Sequence, residues 1–138
     1  MNLLIASVIT LMVTMGGCKK YEEGPFISLR TKTERIANTW RVDEYFLNNT
    51  NQTSTIDTWM PNYTQTFTKE GTYSYHTNFF DGSGTWDFID QKEKIRIVVS
   101  SSFGDDITDI YILKLKEKEL WYYYLDGNDK HEFHLIPD

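Results

Sequence analysis

From Asn38 onwards the chain is written almost wholly in period two, and the stretches between its alternating runs leave room for little but tight reversals. Alternation of apolar and polar residues marks a strand with one face buried. The pattern predicts eight strands, at about residues 38–47, 62–69, 72–79, 84–90, 94–101, 107–116, 119–125 and 131–136. Between them lie Lys69-Glu70-Gly71, Asp81-Gly82-Ser83-Gly84, Gln91-Lys92-Glu93, Lys116-Glu117-Lys118 and Asp126-Gly127-Asn128-Asp129. These are polar and mostly glycine-bearing, as hairpins require. A parallel crossover needs roughly a dozen residues or more, and only the segment from Asn48 to Pro61 is that long. An antiparallel meander follows.

Alternation also assigns faces. Lys94, Arg96, Lys114 and Lys116 are expected to meet water, which turns Ile95, Ile97, Val99, Tyr111, Leu113 and Leu115 inward. The same rule sends Trp40, Val42, Phe67, Tyr73, Tyr75, Trp86, Phe88, Phe133 and Leu135 to the inside. The expected core is therefore Trp40, Val42, Trp86, Phe88, Ile97, Leu113, Phe133 and Leu135. Eight antiparallel strands with one apolar face bury it by closing into a small barrel, which also removes the exposed edges of an open sheet. The fold class is all-β. A transmembrane barrel would turn its apolar face outward, whereas these strands carry lysines there. In Leu120-Trp121-Tyr122-Tyr123-Tyr124-Leu125 the parity is ambiguous: either Trp121 and Tyr123 or Tyr122 and Tyr124 must stand on the outer wall.

Net charge is −6, with no extended run of lysine or arginine, which argues against nucleic acid as a partner. Aromatic residues make up 15% of the chain, a richness that favours strands and amphipathic contact surfaces. Cys18 is the only cysteine, so the domain is expected to hold together by its apolar core and not by disulfides.

Met1 to Met15 form an apolar run without a charged side chain, ending in Met15-Gly16-Gly17-Cys18 and followed by Lys19-Lys20. About 15 apolar residues are short of the roughly 20 that span a bilayer and suit the core of a secretory signal. The arrangement resembles a bacterial lipoprotein signal peptide. The resemblance implies removal of residues 1–17 and acylation of Cys18, whose chains, at about 0.8 kcal/mol per buried methylene, anchor the protein stably in a membrane. Lys19-Lys20-Tyr21-Glu22-Glu23 is similar to the charged segment behind the cysteine of surface-exported Bacteroidetes lipoproteins, which implies the cell envelope and its outer membrane. Residues 18–32, with Gly24-Pro25 and little periodicity, read as a tether, and residues 33–138 as the barrel domain. A helical turn is expected at Thr33–Ala37, capped by Thr33.

Ile36-Ala37-Asn38-Thr39-Trp40-Arg41-Val42 opens the first strand with a tryptophan. Phe67-Thr68-Lys69-Glu70-Gly71-Thr72-Tyr73 then leads to Gly84-Thr85-Trp86-Asp87. Together these resemble the lipocalin-like lipoproteins of Bacteroidetes, over roughly residues 33–136. The resemblance implies that Trp40 plugs the closed end of the barrel and that the Asn48–Met60 loop forms a lid over the open end. That loop is polar and rich in Asn and Thr, so little core is expected to hold it.

No constellation of catalytic residues is legible, and neither a cofactor nor a metal is expected. His131 and His134 are three apart and, on a strand, point to opposite faces. Asp105, Asp106 and Asp109 lack the spacing of a calcium loop. There is no nucleophile elbow. Two functions of different class remain. One is binding of a small apolar or amphipathic ligand in the barrel, with Trp59, Tyr63, Phe67, Tyr73, Tyr75 and Tyr111 as candidate contacts. The other is a protein-interaction module, such as an accessory subunit, inhibitor or immunity-like lipoprotein, using an aromatic outer strand around Tyr122–Tyr124. A cavity of about 300 Å³ or more inside the barrel separates them in favour of the ligand.

Overall fold

The computed structural model describes residues 30–138. The signal segment, Cys18 and most of the tether lie outside those residues. A short helix, α1 (Lys32–Ile36), opens the described chain. Its cap is Thr31 and not Thr33: the Thr31 hydroxyl accepts from the Glu34 backbone N–H while the Glu34 carboxylate accepts from the Thr31 N–H, a reciprocal pair that satisfies two otherwise unpaired donors.

Eight strands follow as a meander: β1 (Asn38–Leu47), β3 (Thr64–Phe67), β4 (Thr72–His76), β5 (Asp81–Ile89), β6 (Lys94–Ser101), β7 (Gly104–Leu115), β8 (Leu120–Asp126) and β9 (Asp129–Pro137). Each pairs antiparallel with the next, and β1 pairs with β9 from Trp40↔Pro137 to Leu47↔His131, which closes the barrel. A ninth strand of two residues, β2 (Thr50–Asn51), folds back on β1 through Asn48 and Asn49, whose φ values are 49° and 68°. Two consecutive positive φ angles are what a two-residue hairpin turn of the right twist requires, and Asn tolerates them.

The predicted lid is thus built into the wall. After β2, the chain forms α2 (Thr53–Trp59), whose Ile56 enters the core. The Gln52 N–H donates to the Tyr45 carbonyl at 2.8 Å, and the Tyr45 N–H donates to the Thr53 hydroxyl at 3.0 Å.

One end of the barrel is solid. Trp40, Ile36, Ile95, Leu115, Leu120 and Leu135 are wholly buried there, with Phe67 and Trp86 beside them. Both indole N–H groups are satisfied, Trp40 by the Ile36 carbonyl at 2.8 Å and Trp86 by the Thr68 carbonyl at 2.9 Å. Val42 and Phe88 pack half-buried against this core, and Ile97 and Phe133 are buried in it.

β7 departs from strict alternation. Its register against β8 shifts between Ile112 and Lys114, so one extra residue, Leu113, is inserted and the parity changes along the strand. Ile110, Ile112 and Leu115 point inward and are buried. Leu113 is only half-buried and stands outside the core, contrary to the expectation from simple alternation. Tyr111 pairs across from Lys94 on the outer wall, where its ring stacks on Tyr123 at 4.7 Å and takes the Lys94 ammonium over its face. Lys114 is also on that wall yet is buried, its Nζ 3.4 Å from the centre of the Trp121 ring.

Candidate functional site

At the end opposite Trp40 the barrel wall parts. β7 is bonded to β6 over the whole length of β6, from Ser101↔Gly104 to Lys94↔Tyr111. Against β8 it is bonded only from Tyr111↔Tyr123 to Leu115↔Leu120. Residues Asp106–Ile110 and Tyr124–Asp126 therefore flank a slot, and behind it lies a cavity of about 660 Å³. That volume is within the ordinary range for small-molecule sites, roughly 300–1,000 Å³.

The cavity is lined by tyrosines. Tyr63, Tyr73 and Tyr75 come from the β3–β4 side, and Tyr122 and Tyr124 from β8. Ile97, Val99 and Ile110 add aliphatic wall, while Met60 and Phe80 reach in from the loops. The ambiguity on β8 is settled by pairing: Tyr122 lies opposite buried Phe133 and Tyr124 opposite His131, so these two face inward and Trp121 and Tyr123 face out. An outer contact surface therefore uses Trp121 and Tyr123 instead of Tyr122 and Tyr124.

A polar bridge forms the floor. Gln65 is 1% exposed. Its Nε2 donates to the Tyr122 hydroxyl at 2.7 Å, and its Oε1 accepts from the Tyr73 hydroxyl at 3.2 Å. Both ends of one buried amide are thereby paired, which is the condition for keeping such a group inside. Sequence reasoning did not single out Gln65, although it has the same parity as the inward Phe67 two residues later. The signal was available and was outweighed by the side chain's polarity.

Glycine makes room for the rings. Gly82 lies opposite Tyr75, and a Cβ on it would stand 2.5 Å from the Tyr75 ring, so the ring rests where any larger residue would collide. Gly84, opposite Tyr73, admits no side chain because a Cβ would meet the Val98 carbonyl.

Burial keeps the hydroxyls neutral. It raises the Tyr63, Tyr73 and Tyr122 phenols above their ordinary value. Tyr124 is pushed up to about 12, first by burial and then by the negative charge of neighbours that include Asp126 and Asp106. At neutral pH the site presents aromatic faces and uncharged hydroxyls.

The candidate contacts separate on the structure. Tyr63, Tyr73 and Tyr75 come together in the cavity. Phe67 is buried in the solid end, packed on Tyr73 and Trp86, and does not line the space. Trp59 is 72% exposed at the end of α2 and is likewise apart from it. Tyr111 borders the slot, but its ring is on the outer wall. Among the lining residues that sequence reasoning left out of the ligand set are Gln65, Tyr122, Tyr124 and the slot residues Asp106 and Asp126.

His131 points inward, stacked on the Tyr124 ring at 4.7 Å with its Nδ1 2.8 Å from the Tyr45 hydroxyl. His134 lies on the outer wall, stacked on Trp121 at 3.9 Å and in contact with Glu132 and Glu44. The two thus occupy opposite faces of β9. Among the described residues, no group of three His, Cys, Asp or Glu side chains is placed to hold a metal ion.

Comparison of the chain with models of known protein families gives no match, and comparison with curated proteins gives none either.

Proposed function

We propose that this protein is a lipid-anchored binding protein of lipocalin-like design, which carries a small amphipathic ligand in its barrel and performs no chemistry on it. The observation that carries this reading is the cavity of about 660 Å³ behind the β7–β8 slot, walled by five tyrosines over the Gln65 bridge. Aromatic walls with a few fixed polar groups suit a ligand that is largely apolar and polar at one end. The anchor rests on the Gly16-Gly17-Cys18 pattern behind an apolar run, and it puts the protein in the cell envelope.

Native mass spectrometry of the purified protein tests the binding reading. A retained small molecule that is lost in Tyr75→Ala and Tyr124→Ala supports it. A protein of bare mass that takes up no neutral fluorescent naphthyl probe overturns it. The anchor has its own test. Cys18→Ala yields unprocessed or soluble protein, and a variant that still partitions with detergent at mature length refutes acylation.

A second reading, the protein-interaction module, draws on a separate observation. Trp59, Phe79 and Phe103 are 72%, 71% and 100% exposed; Phe79 and Phe103 stand on the β4–β5 and β6–β7 turns at the slot end, and Trp59 is the last residue of α2. Apolar groups gathered at one end of a domain suit a partner surface. Substituting Phe79 and Phe103 by Ser would abolish capture of a protein partner on this reading, and would leave ligand retention intact on the first.

A further inference from the structure

The charge around the slot narrows the class of ligand. No lysine, arginine or histidine of the described residues lines the cavity, whereas Asp106 and Asp126 stand on its two lips. Asp106 pairs across from Val99 and so shares the inward face of β7, and Asp126 has the same parity on β8 as Tyr122 and Tyr124. Tyr124 lines the slot with them, and the negative charge of both contributes to raising its phenol. Neither carboxylate has a hydrogen-bond or ion-pair partner among the described residues. Asp109, three residues from Asp106 on β7, is different: on the outer wall, its two oxygens take the Arg96 guanidinium at 2.7 and 2.8 Å. The neighbouring cations are engaged outside as well, Lys94 with Asp90 at 2.6 Å and Lys130 with Glu132 at 2.6 Å. A carboxylate or phosphate entering the slot would thus meet two uncompensated negative charges and no cation. A positive group would meet both carboxylates and then the rings of Tyr63, Tyr75 and Tyr124, whose quadrupoles attract cations placed over their faces.

We propose that the cavity is selective for an organic cation, an amphipathic amine or quaternary ammonium whose charged end sits between Asp106 and Asp126 and whose apolar body lies among the tyrosines. This rests on the ligand-binding reading above and adds the sign of the ligand's charge. The carboxylates supply attraction on approach and the rings supply it after desolvation, so selectivity has a part that salt screens and a part that it does not. Lys130 and Lys94, held on the outer wall, do not compete for the slot.

Three probes with one naphthyl body test it on the full-length protein by calorimetric titration: naphthylmethyl-trimethylammonium, naphthylmethanol and naphthylacetate. The cation is expected to bind at least about tenfold more tightly than the carboxylate, with the alcohol between them. Asp106→Asn combined with Asp126→Asn, both exposed, is expected to weaken the cation at least about fivefold, leave the alcohol unchanged and flatten the salt dependence. If the carboxylate binds as well as the cation, or the double variant keeps the preference, the charge inference is overturned while the cavity remains a binding site. If none of the three probes binds, the ligand-binding reading falls and takes the inference with it.

Discussion

The two ends of this barrel are made from the same strands, yet one is a packed solid and the other holds a cavity. At the Trp40 end, neighbouring strands stay hydrogen-bonded and the inward side chains are aliphatic, phenyl or indole groups, which close up against each other. At the other end, β7 and β8 part after Tyr111↔Tyr123, and the inward residues are tyrosines. A phenol is long and rigid, and its hydroxyl must meet a polar partner or water, so rings that radiate from opposing walls hold a space open instead of filling it. The difference therefore comes from two local choices: where the β7–β8 ladder stops, and whether an inward residue has a polar tip.

Removing the anchor of the solid end is the severest way to break this contrast. Trp40→Ala deletes a wholly buried side chain and its hydrogen bond to Ile36, and is expected to cost about 3–5 kcal/mol in chemical denaturation. A loss below about 1 kcal/mol would mean that this end is not a packed core. Next in size is the floor between the two ends. Gln65→Leu leaves the Tyr73 and Tyr122 hydroxyls without their shared partner and is expected to cost about 1–3 kcal/mol.

Truncation on the cavity side should separate stability from binding. Tyr75→Ala and Tyr124→Ala remove half-buried rings that already face open space, so each is expected to cost about 1 kcal/mol or less while sharply weakening a bound naphthyl probe. If either variant is as unstable as Trp40→Ala, the two ends are energetically alike and the contrast fails.

The smallest effect belongs to the outer wall. Arg96 holds the Asp109 carboxyl below its ordinary value of 3.8 through paired hydrogen bonds. A carboxyl depressed in the folded state adds stability that is fully present above its unfolded value and disappears as pH falls through its folded one. Asp109→Asn should thus lower the denaturation midpoint slightly near pH 6, and the two curves should converge below pH 3.8, tracked by urea denaturation across that range.

Much of the architecture was legible. Strands at 38–47 and 94–101 coincide with β1 and β6, and Lys94 and Arg96 set the faces of β6 correctly. β7 was misread because Ile110-Tyr111-Ile112-Leu113-Lys114-Leu115 is apolar in both parities, so an inserted residue leaves no mark in the pattern. Tyr111 and Leu113 went to the wrong face for that reason. The Asn48–Met60 segment reads as loose polar chain because its anchors are hydrogen bonds to Tyr45, Asp129 and Lys130 and two apolar side chains, Ile56 and Met60, none of which has a periodicity. The site was half legible. Tyr63, Tyr73 and Tyr75 follow from alternation, while Tyr122 and Tyr124 required the cross-strand partner to choose between two equal parities.

The early end of the β7–β8 ladder also divides each bordering strand along its own length. In an antiparallel pair, alternate backbone amides point to alternate neighbours. On β7 between Gly104 and Ile110, half of the amides are tied to β6 and the other half are aimed across the slot with no strand opposite. Deuterium uptake should therefore alternate residue by residue in that stretch, fast then slow, and the alternation should end at Tyr111, which is paired with both β6 and β8. A bound molecule that filled the slot would erase the alternation without any strand moving, giving a residue-level signature of occupancy that needs neither a label nor knowledge of what is bound.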